Sequence, residues 1–153
     1  MIRLTVDQIM ALRPCYSEAR VIELWDGRES LTIAEIAALD ISLSDRLWCV
    51  LAPGVLPDVV LGELHCRIVD EAVAIYERDY PHDPRPRRAN EVHRAMLRGE
   101  ATADEWSAAR SAAGDAACAA SGAAAWSAAG DAAWAAVITR YLQWAVEAAE
   151  AVE

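Results

Sequence analysis

The 153-residue chain has no lysine and no phenylalanine, and it contains only three histidines and four cysteines. It also lacks any run of about 18 consecutive apolar residues, the length that a membrane-spanning helix needs. Its N-terminus does not show the basic and then apolar layout of a signal peptide. These absences predict a cytoplasmic protein that is neither secreted nor embedded in a membrane.

Several motifs that carry catalysis are also absent. The chain has no Gly-rich phosphate loop, no Gly-x-Ser-x-Gly elbow and no His-Glu-x-x-His pair. The carboxylates of Glu77, Asp79 and Asp83 could serve as an acid and a base, but five arginines lie nearby, so ion pairs are expected instead. The sequence therefore predicts a protein that is not an enzyme, with no catalytic residue and no cofactor.

The cysteines and histidines do not follow the spacing of a metal site. The four cysteines are too far apart for a zinc ribbon or a redox motif, so we expect reduced, buried thiols at Cys15, Cys49, Cys66 and Cys118. His65 and His93 could meet Cys66 or Asp83 around a metal, but their spacing specifies no such site, and His82 adds none. No metal site is predicted.

Negative charge is in excess and unevenly spread. The net charge is −10, with −4 on residues 1–58, zero on residues 59–99 and −6 on residues 100–153. A phosphate backbone repels such a surface, so direct binding to nucleic acid is excluded as a general activity. The acidic end predicts either a solvated surface with internal ion pairs or a face that meets a basic partner.

Helix signals recur along the chain, whereas strand signals hardly appear. Capping boxes are predicted at Thr5–Gln8, Thr32–Glu35 and Thr102–Glu105, with further caps at Ser17 and at Ser42 or Ser44. Apolar residues at spacings of three and four predict a long helix from Pro57 to about Arg78. A Pro-rich connection and a helix over residues 87–98 follow.

Alanine-rich units of four residues begin at Ser107, as in SAAR, SAAG and DAAC. Alanine is the best helix former, so this segment is predicted to be helical. We expect this segment to form one long helix, and the alternative is two helices broken near Ser121 and Gly122. Bulky tryptophans such as Trp106 and Trp144 need burial, which disfavours a disordered tail.

These signals predict an all-α fold, a compact bundle of about six to eight helices. Its short N-terminal helices are expected to pack on long central and C-terminal Ala-rich helices. Residues 1–153 are predicted to form one domain with three segments: short helices in 1–56, a helix, Pro-rich corner and helix in 57–99, and the Ala-rich helix or helix pair in 100–153.

The Pro-rich connection is predicted to be a rigid structural corner that joins two helices, and the alternative is a patch that contacts a partner. Asp83 is placed to cap the helix that opens at Pro84 or Pro86. Cations at a helix N-terminus are disfavoured by the helix dipole, so each arginine there is expected to have a carboxylate partner such as Glu77. The residues assigned to the corner are Glu77, Asp83, Arg85, Pro86 and Arg87.

The same region carries a family resemblance. It reads Pro-x-Asp-x-Arg-Pro-Arg-x-Ala from Pro81, followed by a Leu-x-Gly-Glu helix end and the Ala-repeat tail. Over residues 45–150 it resembles an immunity-protein family of bacteria, and phage-borne relatives are similar around Leu4-Thr5 and Asp45–Trp48. The resemblance implies a helical, non-enzymatic binder associated with toxin systems. Tails of that family are often rich in Ala-His-Ala, whereas no histidine follows His93 here.

The favoured function is an inhibitor of immunity or phage anti-defence (anti-CRISPR-like) type. Its expected partner is a bacterial effector, either a toxin or a CRISPR-type nucleoprotein complex, whose basic nucleic-acid-binding surface it would block. The alternatives are a helical homo-oligomer such as a homodimer, an immunity protein against a non-nuclease toxin, and a metal- or ligand-binding helical protein. The candidate partner-binding residues are Asp104, Glu105, Asp115, Asp131, Glu147 and Glu150.

Overall fold

A computed structural model describes residues 2–120 and 131–152, with the backbone alone for residues 116–120 and 131–134. These residues form eight α-helices and one pair of short strands, which confirms the all-α prediction and its number of helices. The elements are β1 Arg3–Thr5, α1 Val6–Ala11, α2 Glu18–Trp25, β2 Ser30–Thr32, α3 Ile33–Ala37, α4 Leu43–Leu51, α5 Asp58–Asp79, α6 Arg85–Leu97, α7 Ala103–Ala120 and α8 Asp131–Glu150.

Reciprocal caps begin three of these helices, as the sequence predicts. At α1 the Gln8 N–H donates to Thr5 Oγ1 at 3.3 Å, and the Thr5 N–H donates to Gln8 Oε1 at 2.8 Å. The same exchange joins Thr32 and Glu35 at α3 and Thr102 and Glu105 at α7. Side chains of Ser17 and Ser42 cap α2 and α4. Each cap supplies a hydrogen-bond acceptor to backbone N–H groups at the helix start, which have no acceptor within the helix.

The sequence does not predict the two short strands β1 and β2. β1 and β2 pair antiparallel, with Leu4 opposite Leu31, and both of these leucines are buried. The exposed side chain of Arg3 on β1 also binds β2: its Nε donates to Ser30 Oγ and its Nη2 donates to the Ser30 carbonyl, both at 2.8 Å. Strands of three residues are too short to show the period-two pattern that identifies a strand in a sequence.

The chain divides into two compact units. The first contains Met1–Val60 and Asp131–Glu153, so the C-terminal helix α8 belongs with the N-terminal elements. Within it α8 contacts α3 and α4, which confirms the predicted packing of short helices on an Ala-rich one. Its core side chains include Ile9, Val21, Trp25, Leu31, Ile33, Ile36, Val50, Leu56, Ile138, Leu142 and Ala145.

The second unit is Leu61–Gly130, which holds most of α5 together with α6 and α7. α6 packs along α7. α5 approaches α6 closely at Gly62, where an added Cβ would lie 2.6 Å from Cδ2 of Leu97. Glycine is the residue that permits this approach, since it has no Cβ.

Some boundaries and one burial expectation differ from the sequence predictions. α6 begins at Arg85 and not at residue 87, since proline is well tolerated in the first turn. Glycine is the residue type expected in the left-handed region at a helix end, which favours Gly27 for α2, but Asp26, at φ 49°, occupies that position and Gly27, at φ 72°, follows it. The expectation of buried thiols holds for Cys49 and Cys66 but is wrong for Cys15, which is exposed in the connection after α1.

The Ala-rich segment contains α7 and α8 in the described residues. The choice between one helix and two rests on the junction near Ser121 and Gly122, which lies outside the described residues, and so does the Cys118 side chain. Residues of the predicted 100–153 segment occur in both units. Across the described ranges, no helix combines the length and the apolarity needed to cross a bilayer.

Candidate functional site

The connection between α5 and α6 is organised around the carboxylate of Asp83. The Arg85 guanidinium donates to both of its oxygens, at 2.8 and 2.6 Å, and the Arg85 backbone N–H donates to Oδ1 at 3.1 Å. The Tyr76 hydroxyl donates to Oδ2 at 2.8 Å, and the Tyr76 ring stacks on Tyr80 at 4.8 Å. The Arg85 and Tyr76 hydrogen bonds hold the pKa of Asp83 well below its usual range.

A second ion pair ties the end of α5 to the start of α6. Arg87 donates to both carboxylate oxygens of Glu77, with 2.6 Å between Nε and Oε1. This bidentate contact lowers the pKa of Glu77. The structure therefore brings together Glu77 with Arg87 and Asp83 with Arg85, while Pro86 occupies the first turn of α6.

A polar network that the sequence did not indicate joins α5 and α6 further along. Asn90 is the one buried polar residue among those described, and its Nδ2 donates to the Cys66 carbonyl at 2.8 Å and to Asp70 Oδ1 at 2.7 Å. Arg94 donates to both oxygens of the same carboxylate, at 3.1 and 2.6 Å. A single amide or carboxylate on a helix gives no pattern, so sequence reasoning could not find this network.

A column of rings and polar groups connects α5, α6 and α7. The Cys66 sulfur lies 3.3 Å from His93 Nδ1, the His93 ring stacks on Trp106 at 4.8 Å, and the Arg110 guanidinium lies over the Trp106 ring at 4.8 Å. Burial raises the pKa of the Cys66 thiol and lowers the pKa of His93. A nucleophilic cysteine acts as a thiolate. A neutral thiol beside a neutral imidazole instead suits a packed structural contact.

The candidate partner-binding residues of α7 are on the surface. Asp104, Glu105 and Asp115 are all exposed. At 3.6 residues per turn, Asp104 and Asp115 lie on one face of α7, about 16 Å apart along the helix axis. Trp106 lies on the opposite face, where it stacks on His93 of α6. Glu105 is partly committed to the capping box, whose hydrogen bonds from Thr102 lower its pKa. The hydrogen bond to Asp83 is the main cause that raises the pKa of Arg85, and the charge of Asp115 adds to it.

The remaining candidates belong to the first unit. Glu147 and Glu150 are exposed on α8, and Gln143 donates to Glu147 at 3.1 Å. Glu150 borders a recess of about 80 Å³ whose lining includes Ile33, Val146 and Ala149. Small-molecule sites usually enclose about 300–1,000 Å³, so this recess does not fit a metabolite. Asp131 begins α8, but its side chain lies outside the described residues.

Metal-ligating side chains do not converge in the part of the chain that the structure describes: no three His, Cys, Asp or Glu side chains group as ligands there. His93 meets Cys66, but neither His65 nor Asp83 joins them in a ligand set. His82 is exposed in the connection before α6.

The fold and this site define an all-α protein with an ion-paired helical corner and an acidic helix face. A scan against protein-family models, a search of curated proteins and a search of solved structures each gave no match for this chain.

Proposed function

We propose that this protein is a non-enzymatic inhibitor that binds a bacterial effector in the cytoplasm. It occupies a basic surface on which the effector, a toxin or a CRISPR-type complex, holds nucleic acid. The observation that carries the proposal is the pairing of arginines with carboxylates. The arginines from residue 85 to residue 98 are engaged by carboxylates of their own chain, whereas Asp104, Glu105 and Asp115 of α7 are exposed.

The pairing follows the cluster of arginines from residue 85 to residue 98. Each guanidinium lies within 3.8 Å of a carboxylate oxygen, in the pairs Arg85–Asp83, Arg87–Glu77, Arg88–Glu91, Arg94–Asp70 and Arg98–Glu100. This cluster is therefore a set of ion pairs and not a basic patch. Residues 59–99 have a net charge of zero, and among the acids of residues 100–153 Glu100 is paired with Arg98.

The geometry of α7 suits contact with a basic groove. One side of the helix is used for packing, since Trp106 stacks on His93 of α6. The opposite side presents Asp104 and Asp115 to solvent. Carboxylates spaced along a rigid helix attract a surface built to hold phosphates, and they accelerate association with it.

The test is capture and inhibition with defined effectors. Purified protein is immobilised, and nuclease toxins and CRISPR-type effector complexes are passed over it one at a time. We expect one of these effectors to bind and to lose its nuclease activity. Retention of full activity by every nucleic-acid-binding effector would refute the proposal, and capture of a toxin that binds no nucleic acid would favour the immunity-protein alternative.

Charge variants locate the surface. Asp104→Lys and Asp115→Lys together are expected to weaken binding to the captured effector about tenfold or more, because two attractive charges become repulsive. The matched control is Asp7→Lys, which reverses an exposed acid in the first turn of α1, in the first unit. Equal weakening by the control would assign the effect to net charge and not to α7.

A further inference from the structure

His93 of α6 lies where the three described helices of the second unit meet. Its Nδ1 is 3.3 Å from the sulfur of Cys66 on α5, and its ring stacks on Trp106 of α7 with 4.8 Å between the ring centroids. The Cys66 side chain is fully buried, and His93 is half-buried. This one imidazole therefore contacts both α5 and α7 from the helix that packs against them.

The contact with Cys66 fits a neutral imidazole. A thiol is a weak hydrogen-bond donor, and the ring nitrogen that carries no hydrogen can accept from it. Nδ1 is then the acceptor, and Nε2 carries the ring hydrogen. An imidazolium has a hydrogen on both nitrogens, so its Nδ1–H would face the thiol hydrogen. Because burial raises the pKa of the Cys66 thiol, the sulfur does not supply a negative charge that would stabilise the imidazolium.

The cations of α6 and α7 also favour the neutral ring. Arg94 follows His93 directly in α6, and the Arg110 guanidinium of α7 lies 4.8 Å from the centroid of the Trp106 ring. A tryptophan ring attracts a cation, but an imidazolium at this position would share the ring with Arg110. A positive charge on His93 would therefore be added to a site that already holds two guanidinium groups.

The groups of α5 do not reverse this preference. Burial is the main cause that lowers the pKa of His93, and the charges of His65 on α5 and of Arg94 add to it. Glu63 of α5 acts in the opposite direction. Its carboxylate already lies 3.6 Å from the Arg94 guanidinium, so it is shared between two cations when His93 is protonated.

We propose that His93 is a pH-sensitive switch that controls how tightly α7 packs on α6. The neutral ring accepts from Cys66 and stacks on Trp106, which keeps the three helices together. The protonated ring loses the hydrogen bond from Cys66 and adds a positive charge beside Arg94 and Arg110, so the packing of α7 on α6 loosens. This inference does not rest on the proposed inhibitor function, because it concerns the packing of α7 and not the partner that α7 binds.

Acid is the direction in which the packing weakens. Because the pKa of His93 is lower in the folded chain than the unfolded value of about 6.5, the unfolded chain binds the proton more tightly. The stabilisation is therefore complete above about pH 6.5 and is lost as the pH falls through the native pKa. Paired carboxylates, with unfolded pKa values of about 4, lose their own contribution only at lower pH.

The experiment is amide hydrogen exchange of the full chain at about pH 7.5 and about pH 5.5, expressed as protection relative to the intrinsic exchange rate at each pH. The protection of the α7 amides should fall roughly fivefold at the lower pH, because protonation favours the opened form. Amides of α4 are the internal reference and should keep their protection, since all three histidines lie outside the first unit.

Two variants assign the effect to one ring. His93→Gln replaces the imidazole by an amide that does not titrate, so α7 should be equally protected at both pH values. His82→Gln is the matched control, because His82 is exposed in the connection before α6, and it should retain the full loss of protection. A loss that persists in His93→Gln would assign the pH dependence to His65 and overturn the proposal.

Titration of the histidine rings by NMR tests the wild-type protein directly, including the case in which His93→Gln does not fold. The His93 ring should titrate below about pH 6.5, the value of an unperturbed histidine. A His93 ring that titrates at or above this value would overturn the proposal, and so would protection of α7 that does not change with pH.

Discussion

At the scale of single residues, the second unit is held by side chains that satisfy several partners at once. Asp83 accepts from the side chains of Arg85 and Tyr76 and from a backbone N–H, and Asn90 donates to both a carbonyl and a carboxylate. Local sequence logic predicts that Asp83 caps α6, since an aspartate before a proline at a helix start suggests a cap. The N-cap of α6 is instead Pro84, which makes no side-chain cap hydrogen bond, and Asp83 accepts from the Arg85 N–H from outside the helix. The same logic does not predict the role of Asn90, whose partners lie 20 and 24 residues away on another helix.

Asp83→Asn is expected to destabilise the protein in a pH-dependent way. Because the native pKa of Asp83 lies far below its unfolded value of about 3.9, its stabilising effect is complete above that value and is lost as the pH falls. Urea unfolding should give a lower midpoint for the variant at pH 7 and a gap that narrows below about pH 4. A gap that stays constant down to pH 3 would contradict the ion pair.

Asn90→Ala should lower the free energy of unfolding by about 1–3 kcal/mol, because it removes a buried donor and two hydrogen bonds. Arg88→Ala, an exposed change in the same helix, should alter it by less than about 0.5 kcal/mol. Chemical denaturation of both variants checks this pair of values. Equal effects would mean that Asn90 does not link α5 to α6.

At the scale of elements, the helix starts follow local signals and the contacts between elements do not. The predicted capping boxes are present at α1, α3 and α7, since each uses residues three positions apart. The pairing of β1 with β2 joins residues 27 positions apart, and no local pattern encodes it. The close approach at Gly62 is likewise visible only once α6 is in place.

Two glycine substitutions test that approach. Gly114→Ala should stabilise the protein by about 0.5–1 kcal/mol, because α7 is open at that position and alanine is the better helix former. Gly62→Ala should yield a smaller gain or a loss, since its Cβ would lie 2.6 Å from Leu97. Thermal unfolding measures the stability change of both variants, and a larger stabilisation by Gly62→Ala than by Gly114→Ala would refute close packing at Gly62.

The alanines of α8 are predicted to be packing residues. Ala145 is fully buried, and α8 contacts α3 and α4. Ala145→Leu should therefore destabilise the first unit by about 1–3 kcal/mol through overpacking. Ala148→Leu, at a half-exposed position of the same helix, is the control. If both leucines were tolerated equally in denaturant unfolding, tight packing at Ala145 would be wrong.

At the scale of the whole molecule, ion pairs between arginines and carboxylates determine which charges remain exposed. The arginines from residue 85 to residue 98 face carboxylates of their own unit, and acidic residues remain exposed on α7. Composition indicates the excess charge but not this division, which depends on contacts between helices. The assignment of α8 to the N-terminal unit also depends on tertiary packing, because an Ala-rich helix specifies no partner by itself.

The most direct test of the proposed function is a competition measurement on an effector that the protein captures. Labelled nucleic acid is bound to the effector, and its fluorescence anisotropy is followed while the protein is added at several salt concentrations. The account predicts complete release of the nucleic acid, at protein concentrations that rise with salt because acidic and basic surfaces attract less when screened. A ternary complex in which the nucleic acid stays bound would contradict it.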